Sequence, residues 1–204
     1  MFLDFNNLTA NQCYGAMVQT IVPRPIAWVL SDNGDDSFNV APFSFFTGIS
    51  SEPALLMLSV GMKNSIEEKD TRANIRDRDY FVVHISSTRH LDSLNATSAT
   101  LPHGESEVEL ADIELAEIEG FCLPRIVDCD IAIACKLYRI DEIGDVPQAV
   151  IYGEIVSMTV SDHLLVPHER GHFQIDAQQL DPLARLGGSQ YSGIGGVLAA
   201  TRPK

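Results

Sequence analysis

The sequence predicts a mainly β fold: a small antiparallel barrel of six strands with flanking helices, formed by the whole 204-residue chain as a single domain. Three observations lead there. Six apolar, β-prone runs recur along the chain, most of them joined by short polar or glycine-containing turns. Helical patterns are confined to an N-terminal segment and to insertions after the third and fourth runs, so strands and helices do not alternate as they do around a parallel sheet. Dinucleotide and phosphate-loop fingerprints are missing, because Gly193-Ile194-Gly195-Gly196 does not complete G-x-G-x-x-G and follows no convincing strand.

Residues 9–19 form a short helix, with Thr9 as its cap and Cys13, Ala16 and Met17 on one side, and it stops ahead of Pro23. The first strand, 21–30, begins with two prolines that hold Arg24 extended between them and leave one cation at the strand entrance. Residues 32–36 turn the chain back into an antiparallel partner. The next two runs, 39–49 and 54–60, read as a hairpin around Ser50-Ser51-Glu52-Pro53. Pro42 removes a ladder donor in the middle of the first, which is tolerated only at an edge, a strand end or a bulge. Something other than a neighbouring strand therefore faces that backbone. Ala41, Ser44 and Thr47, beside Phe43, Phe45 and Phe46, let a flat ligand reach main-chain N–H groups under aromatic cover. A flavin suits that description.

Residues 67–76 start a helix, with Ser65 or Asp70 as its cap. Its unpaired N–H groups and dipole, with Lys69 and Arg72 alongside, make an anion site. Residues 80–86 give a buried strand in which His84 is a core or rim histidine, and 88–99 a helix with Leu91 and Leu94 on one face. The acidic stretch 105–119 reads as a solvated face. Strands 131–140 and 148–160 complete the set, joined by a turn at 144–147, with Cys135 in the core and Gly153 marking a bulge or a close approach. Glycines at 187–188 and 193–196 imply a loop-rich C-terminal tail.

The formal charge of −14 excludes nucleic acid and anionic membrane as partners, since both need clustered Lys and Arg to displace counterions. A protein so acidic that binds a phosphate must gather its few cations locally. No apolar run reaches the roughly 18 residues of a membrane span, the N-terminus lacks the pattern of a secretion signal, and the four cysteines form no C-x-x-C. A cytoplasmic chain with reduced thiols is expected.

At Pro23-Arg24-Pro25-Ile26-Ala27-Trp28, Asn39-Val40-Ala41-Pro42-Phe43-Ser44-Phe45-Phe46, Glu52-Pro53, Lys69-Asp70-Thr71, Asn74-Ile75 and Ala184-Arg185-Leu186-Gly187-Gly188-Ser189-Gln190-Tyr191, the chain resembles the flavin reductase-like family of FMN-binding split barrels. Its nearest branch includes the flavoredoxin-like proteins. The resemblance implies a Greek-key split barrel and a homodimer with FMN near the subunit interface. It places Asn39, Ala41, Pro42, Phe43, Ser44, Phe45 and Phe46 along the isoalloxazine and ribityl chain, and Ser59, Val60, Gly61, Lys69 and Thr71 around ribityl or phosphate. Arg24 becomes a further contact, and Arg185 either another polar contact or an anchor of the tail against the barrel. Trp28 lines the ring or fills the barrel. The implied reaction passes a hydride from NADH or NADPH to FMN and asks for no acid–base side chain, because the cofactor carries the chemistry. The alternative is an electron carrier with no nicotinamide site of its own, reduced by a protein partner.

His168-Glu169-Arg170-Gly171-His172 also matches H-E-x-x-H, the zinc-hydrolase signature. That motif must lie inside a helix. Pro167 before it and Gly171 within it argue for a loop, and no clear third ligand follows.

Overall fold

The computed structural model describes residues 1–34, 36–64, 66–102, 105–167 and 173–200. Side chains alternate between two cores along its central strands, as the period of two requires. Ala27, Val29, Phe81, Val83, Ile131, Ile133 and Cys135 point into one core, while Trp28, Leu30, Val82, Ala132 and Ala134 point into the other. The strands that carry them are β1 (Ala27–Gly34), β2 (Ser37–Phe43), β3 (Phe46–Ser51), β4 (Ala54–Val60), β5 (Tyr80–Ile85), β6 (Ile131–Ile143) and β7 (Gln148–Val160). They form one antiparallel sheet in the order β2-β1-β5-β6-β7-β4-β3.

The sheet curls until its two edge strands, consecutive in the chain, meet at Ser44 and Phe45, where the Ser59 N–H donates to the Phe45 carbonyl at 2.9 Å. The inner core fills the barrel. The outer core lies under the excursion between β5 and β6, where Leu94, Ile118, Leu123 and Ile126 cover the sheet. Trp28 belongs to that outer core: its indole is buried and donates to the Thr97 hydroxyl at 2.9 Å.

Among the described residues the main sheet has seven strands, not six. The run 39–49 is not one strand, because Pro42 cannot extend the ladder on both sides and the chain changes partner just after it: β2 pairs with β1, whereas β3 pairs with β4. Pro42 therefore sits on an edge strand, opposite Trp28. Gly153 marks both a register shift and a close approach, since a Cβ there would meet the buried Phe81 Cζ at 2.4 Å. His84 is wholly buried, bonded through Nδ1 to the Trp28 carbonyl and through Nε2 to the Ile126 N–H, each at 3.0 Å, and burial draws its pKa down to about 4.

Among the described residues the helices are α1 (Ala10–Thr20), α2 (Asp70–Arg78), α3 (Leu91–Ala96), α4 (Glu107–Leu110) and α5 (Ala177–Leu180). Thr9 caps α1 in a reciprocal capping box with Gln12, as Ser/Thr-x-x-Gln predicts. Lys69 is the residue ahead of α2, so Asp70 lies inside the first turn and is not the cap; Ser65 lies outside the described residues. Residues 88–99 split into a 3-10 turn and the short α3, which leaves Leu91 partly exposed while Leu94 is buried. The tail is not all loop: Ala184–Arg185 pairs with both Arg24–Pro25 and Tyr191–Ser192. No described helix is long and apolar enough to cross a membrane.

Candidate functional site

The meeting of edge strands leaves a concavity centred on Pro42. Three adjoining cavities share that residue. The first, about 90 Å³, lies between Asn39, Ala41 and the start of α2, and is closed by residues 97–101, Lys63 and Glu107. The second, about 280 Å³, runs over Phe43, Ser44, Phe45, Ser59 and Gly61 and is bordered by Tyr14 and Lys69. The third, about 180 Å³, is bounded by Tyr14, Ser44, Arg185 and Tyr191.

Side-chain hydrogen bonds hold α2 over the first cavity. Asn39 donates to the Thr71 hydroxyl oxygen at 2.8 Å and to the Ser31 hydroxyl at 3.2 Å, and Asn74 donates to Ser31 at 3.2 Å and to the Asn33 side-chain oxygen at 2.8 Å. Because Thr71 accepts from Asn39, its own proton is directed elsewhere. Lys69, at the N-cap position of α2, makes no side-chain capping hydrogen bond. Lys63 pairs with Asp70 at 3.5 Å. Lys69 has no carboxylate partner among the described residues: its ammonium lies 5.5 Å from the Phe43 ring centre, and loss of solvation draws its pKa below the usual lysine value. In a chain of net charge −14, a cation with no carboxylate partner among the described residues, beside a helix N-terminus, is an arrangement suited to an anion.

Arg72, expected to add charge there, is instead buried and tied to Glu142, to Glu68 at 3.0 Å and to the Pro147 carbonyl at 3.0 Å. Glu107 corrects the reading of 105–119 as a solvated face. It is only 4% exposed, and its carboxylate accepts the Val40 N–H at 3.1 Å. Ser106 donates to the Phe38 carbonyl at 2.6 Å. Together these two side chains stand in for the strand that β2 lacks on its outer edge, and burial raises the Glu107 pKa.

Of the residues singled out from sequence, Asn39, Ala41, Pro42, Phe43, Ser44, Phe45, Ser59, Gly61, Lys69, Thr71 and Arg185 line the three cavities. Phe46 and Val60 pack into the inner core. Arg24 is buried one step behind the wall, where it donates to the Ser44 hydroxyl at 3.3 Å and to the carbonyls of Val18, Ile21 and Leu186 at 2.7, 2.7 and 2.9 Å. Tyr14, Lys63, Glu107 and residues 97–101 also line the concavity and carry no sequence signal of their own; tertiary folding alone brings them there. Residues 168–172, with the H-E-x-x-H match, lie outside the described residues, and among those described no cluster of His, Cys, Asp or Glu could hold a metal.

Residues 18–176 match the sequence profile of the flavin reductase like domain. An uncharacterised protein of Halalkalibacterium halodurans, BH2278, is 32% identical over 100% of this chain and 97% of its own. Nitrilotriacetate monooxygenase component B from Bacillus cereus superposes with a TM-score of 0.90 at 33% identity, covering 98% of both chains. The 2-nitrobenzoate 2-nitroreductase of Pseudomonas fluorescens gives 0.88 at 29% identity, covering 100% of this chain and 96% of that one.

Proposed function

The chain belongs to the flavin reductase-like family, and on that premise we propose that it binds FMN in the concavity around Pro42 and is an oxidoreductase fed by NADH or NADPH. One observation carries the cofactor: Lys69, a desolvated cation with no carboxylate partner among the described residues, at the start of α2 and next to a cavity walled by phenylalanines. A phosphorylated planar ligand satisfies both halves of that arrangement.

Lys69, Thr71 and the α2 N-terminus would hold the phosphate, with Lys63 close by in the same cavity. Pro42, Phe43 and Phe45 exclude water from the ring, and the hydroxyls of Ser44 and Ser59 with the neighbouring main chain meet its polar edge. The second cavity is bounded by Gly61, where a Cβ would come within 3.3 Å of the Gln148 side chain, so any larger residue narrows it. When bound, FMN supplies the hydride acceptor, and the residues around it need only position and shield it.

The test is an anaerobic titration of FMN-loaded protein with NADH and with NADPH, followed in the visible flavin band. Bleaching by either supports the reading. Protein that stays colourless after FMN loading removes the cofactor assignment. Protein that holds FMN but ignores both nicotinamides is an electron carrier reduced by a protein partner.

A further inference from the structure

The third cavity is lined by one arginine, Arg185, and backed by a second, Arg24, which lies behind Ser44. Arg24 and Arg185 stand directly opposite each other as Cα partners in the small sheet that ties the tail to the barrel entrance. Like charges placed so are destabilising, and the Arg24 pKa, lowered first by burial, is lowered further by the Arg185 charge. Neither has a carboxylate partner among the described residues. Arg24 spends its donors on three carbonyls and on Ser44, which lines the cavity. Arg185 is held in place by the Gly188 carbonyl at 2.6 Å and by the Tyr191 ring, 4.3 Å from its guanidinium carbon, and the remaining edge of its fork has no partner among the described residues.

The rest of the wall mixes aromatic and aliphatic side chains with the hydroxyls of Ser44 and Ser98. Tyr14, itself edge-on to Phe45 at 6.3 Å, faces this space together with Tyr191, Ile26 and Leu94. A volume of about 180 Å³ is below the roughly 300 Å³ at which pockets for drug-sized ligands begin, so it suits a single ring and not a dinucleotide. Tyr14, Pro42 and Ser44 are common to this cavity and to the one assigned to the flavin ring.

We propose that this cavity is a subsite for a small planar carboxylate, an aromatic acid of one ring, gripped through its carboxylate by Arg185 and clasped between Tyr14 and Tyr191. Arg24, behind Ser44, adds positive potential without touching the ligand. The assignment rests on the flavin reading for its place beside the ring, but the pocket's own residues make it a site whether or not flavin is present.

The experiment titrates benzoate and its neutral isostere benzamide into FMN-saturated protein, read by perturbation of the visible flavin band, and into flavin-free protein, read by calorimetry. Benzoate is expected to bind at least about tenfold more tightly than benzamide in both, the scale of one charge-assisted bidentate contact. R185Q is expected to shrink that preference to within about threefold, and R185K to restore part of it. If R185Q proves unstable, Tyr14→Ala is read in its place and should weaken both ligands together. Equal binding of benzoate and benzamide, or a preference that survives R185Q, overturns the proposal. A preference seen by calorimetry in a protein that never takes up FMN upholds the subsite and overturns the flavin reading alone.

Discussion

Lys69 and Glu107 sit across one small cavity and answer to opposite electrostatics. Removing the ammonium in Lys69→Met should raise the FMN dissociation constant about tenfold or more, since a charge-assisted hydrogen bond contributes roughly 1.5–3 kcal/mol; fluorescence quenching of FMN on binding reads it. Because desolvation lowers the Lys69 pKa, wild-type affinity should fall at a less alkaline pH than an ordinary lysine would give, and the variant should lack that step. For Glu107 burial raises the pKa, so the folded chain holds that proton more tightly than the unfolded chain does. Its contribution to stability is full at acid pH and is lost as pH rises through the raised value. Glu107→Gln, which keeps an acceptor for the Val40 N–H, should therefore melt higher than wild type near neutral pH and lose that advantage below the ordinary carboxylate range. Glu107→Ala should cost about 1–3 kcal/mol at any pH, because it strands a buried N–H. Lys69 was legible in the sequence, since Lys-Asp-Thr opens a helix next to the proline-broken run. Glu107 was not, because one buried glutamate among many acidic neighbours looks like the rest until the fold places it against a strand edge.

The same division holds for whole elements. The long strands β6 and β7 and the buried β5 were readable from composition, because a run of alternating core residues has few other ways to fold. The segment 39–49 was not, since local propensity favours extended backbone throughout and only the closing of the sheet decides that the chain changes partner at Ser44. Residues 88–99 failed for a related reason: Leu91 and Leu94 share a helical face by spacing, yet only Leu94 finds a core to enter. Gly153, which the sequence marks as a bulge or a close approach, is both, and the register explains why. Its Cβ would fall 2.4 Å from Phe81 and 3.3 Å from Cys135, two fully buried side chains that cannot swing aside. Gly153→Ala should accordingly destabilise the protein by about 1–3 kcal/mol through overpacking, measured as a lower urea midpoint with an unchanged slope. Were the midpoint unmoved, the contact between β7 and Phe81 would be looser than the structure has it.

At the scale of the molecule, the barrel fills its interior but leaves apolar side chains exposed on several strands. Ile49 on β3, and Val156 and Met158 on β7, keep 45%, 56% and 46% of their surface. Single exposed apolar residues are ordinary, but here Ile49 and Val156 each fall at a register shift of their strand with the side chain left exposed, and Ile49 lies on β3, an edge of the sheet order. A second copy of the chain would protect that edge and those side chains together. Light scattering should therefore return twice the 22.4 kDa of one chain, and V156D combined with M158D should return a single chain's mass. The resemblance that suggests FMN near a subunit interface adds a second readout: the monomeric variant should bind FMN more weakly than wild type although neither substituted residue lines the concavity around Pro42. A wild-type mass of one chain would dispose of the dimer. A doubled mass that survives both aspartates would keep the dimer and move its interface away from β7.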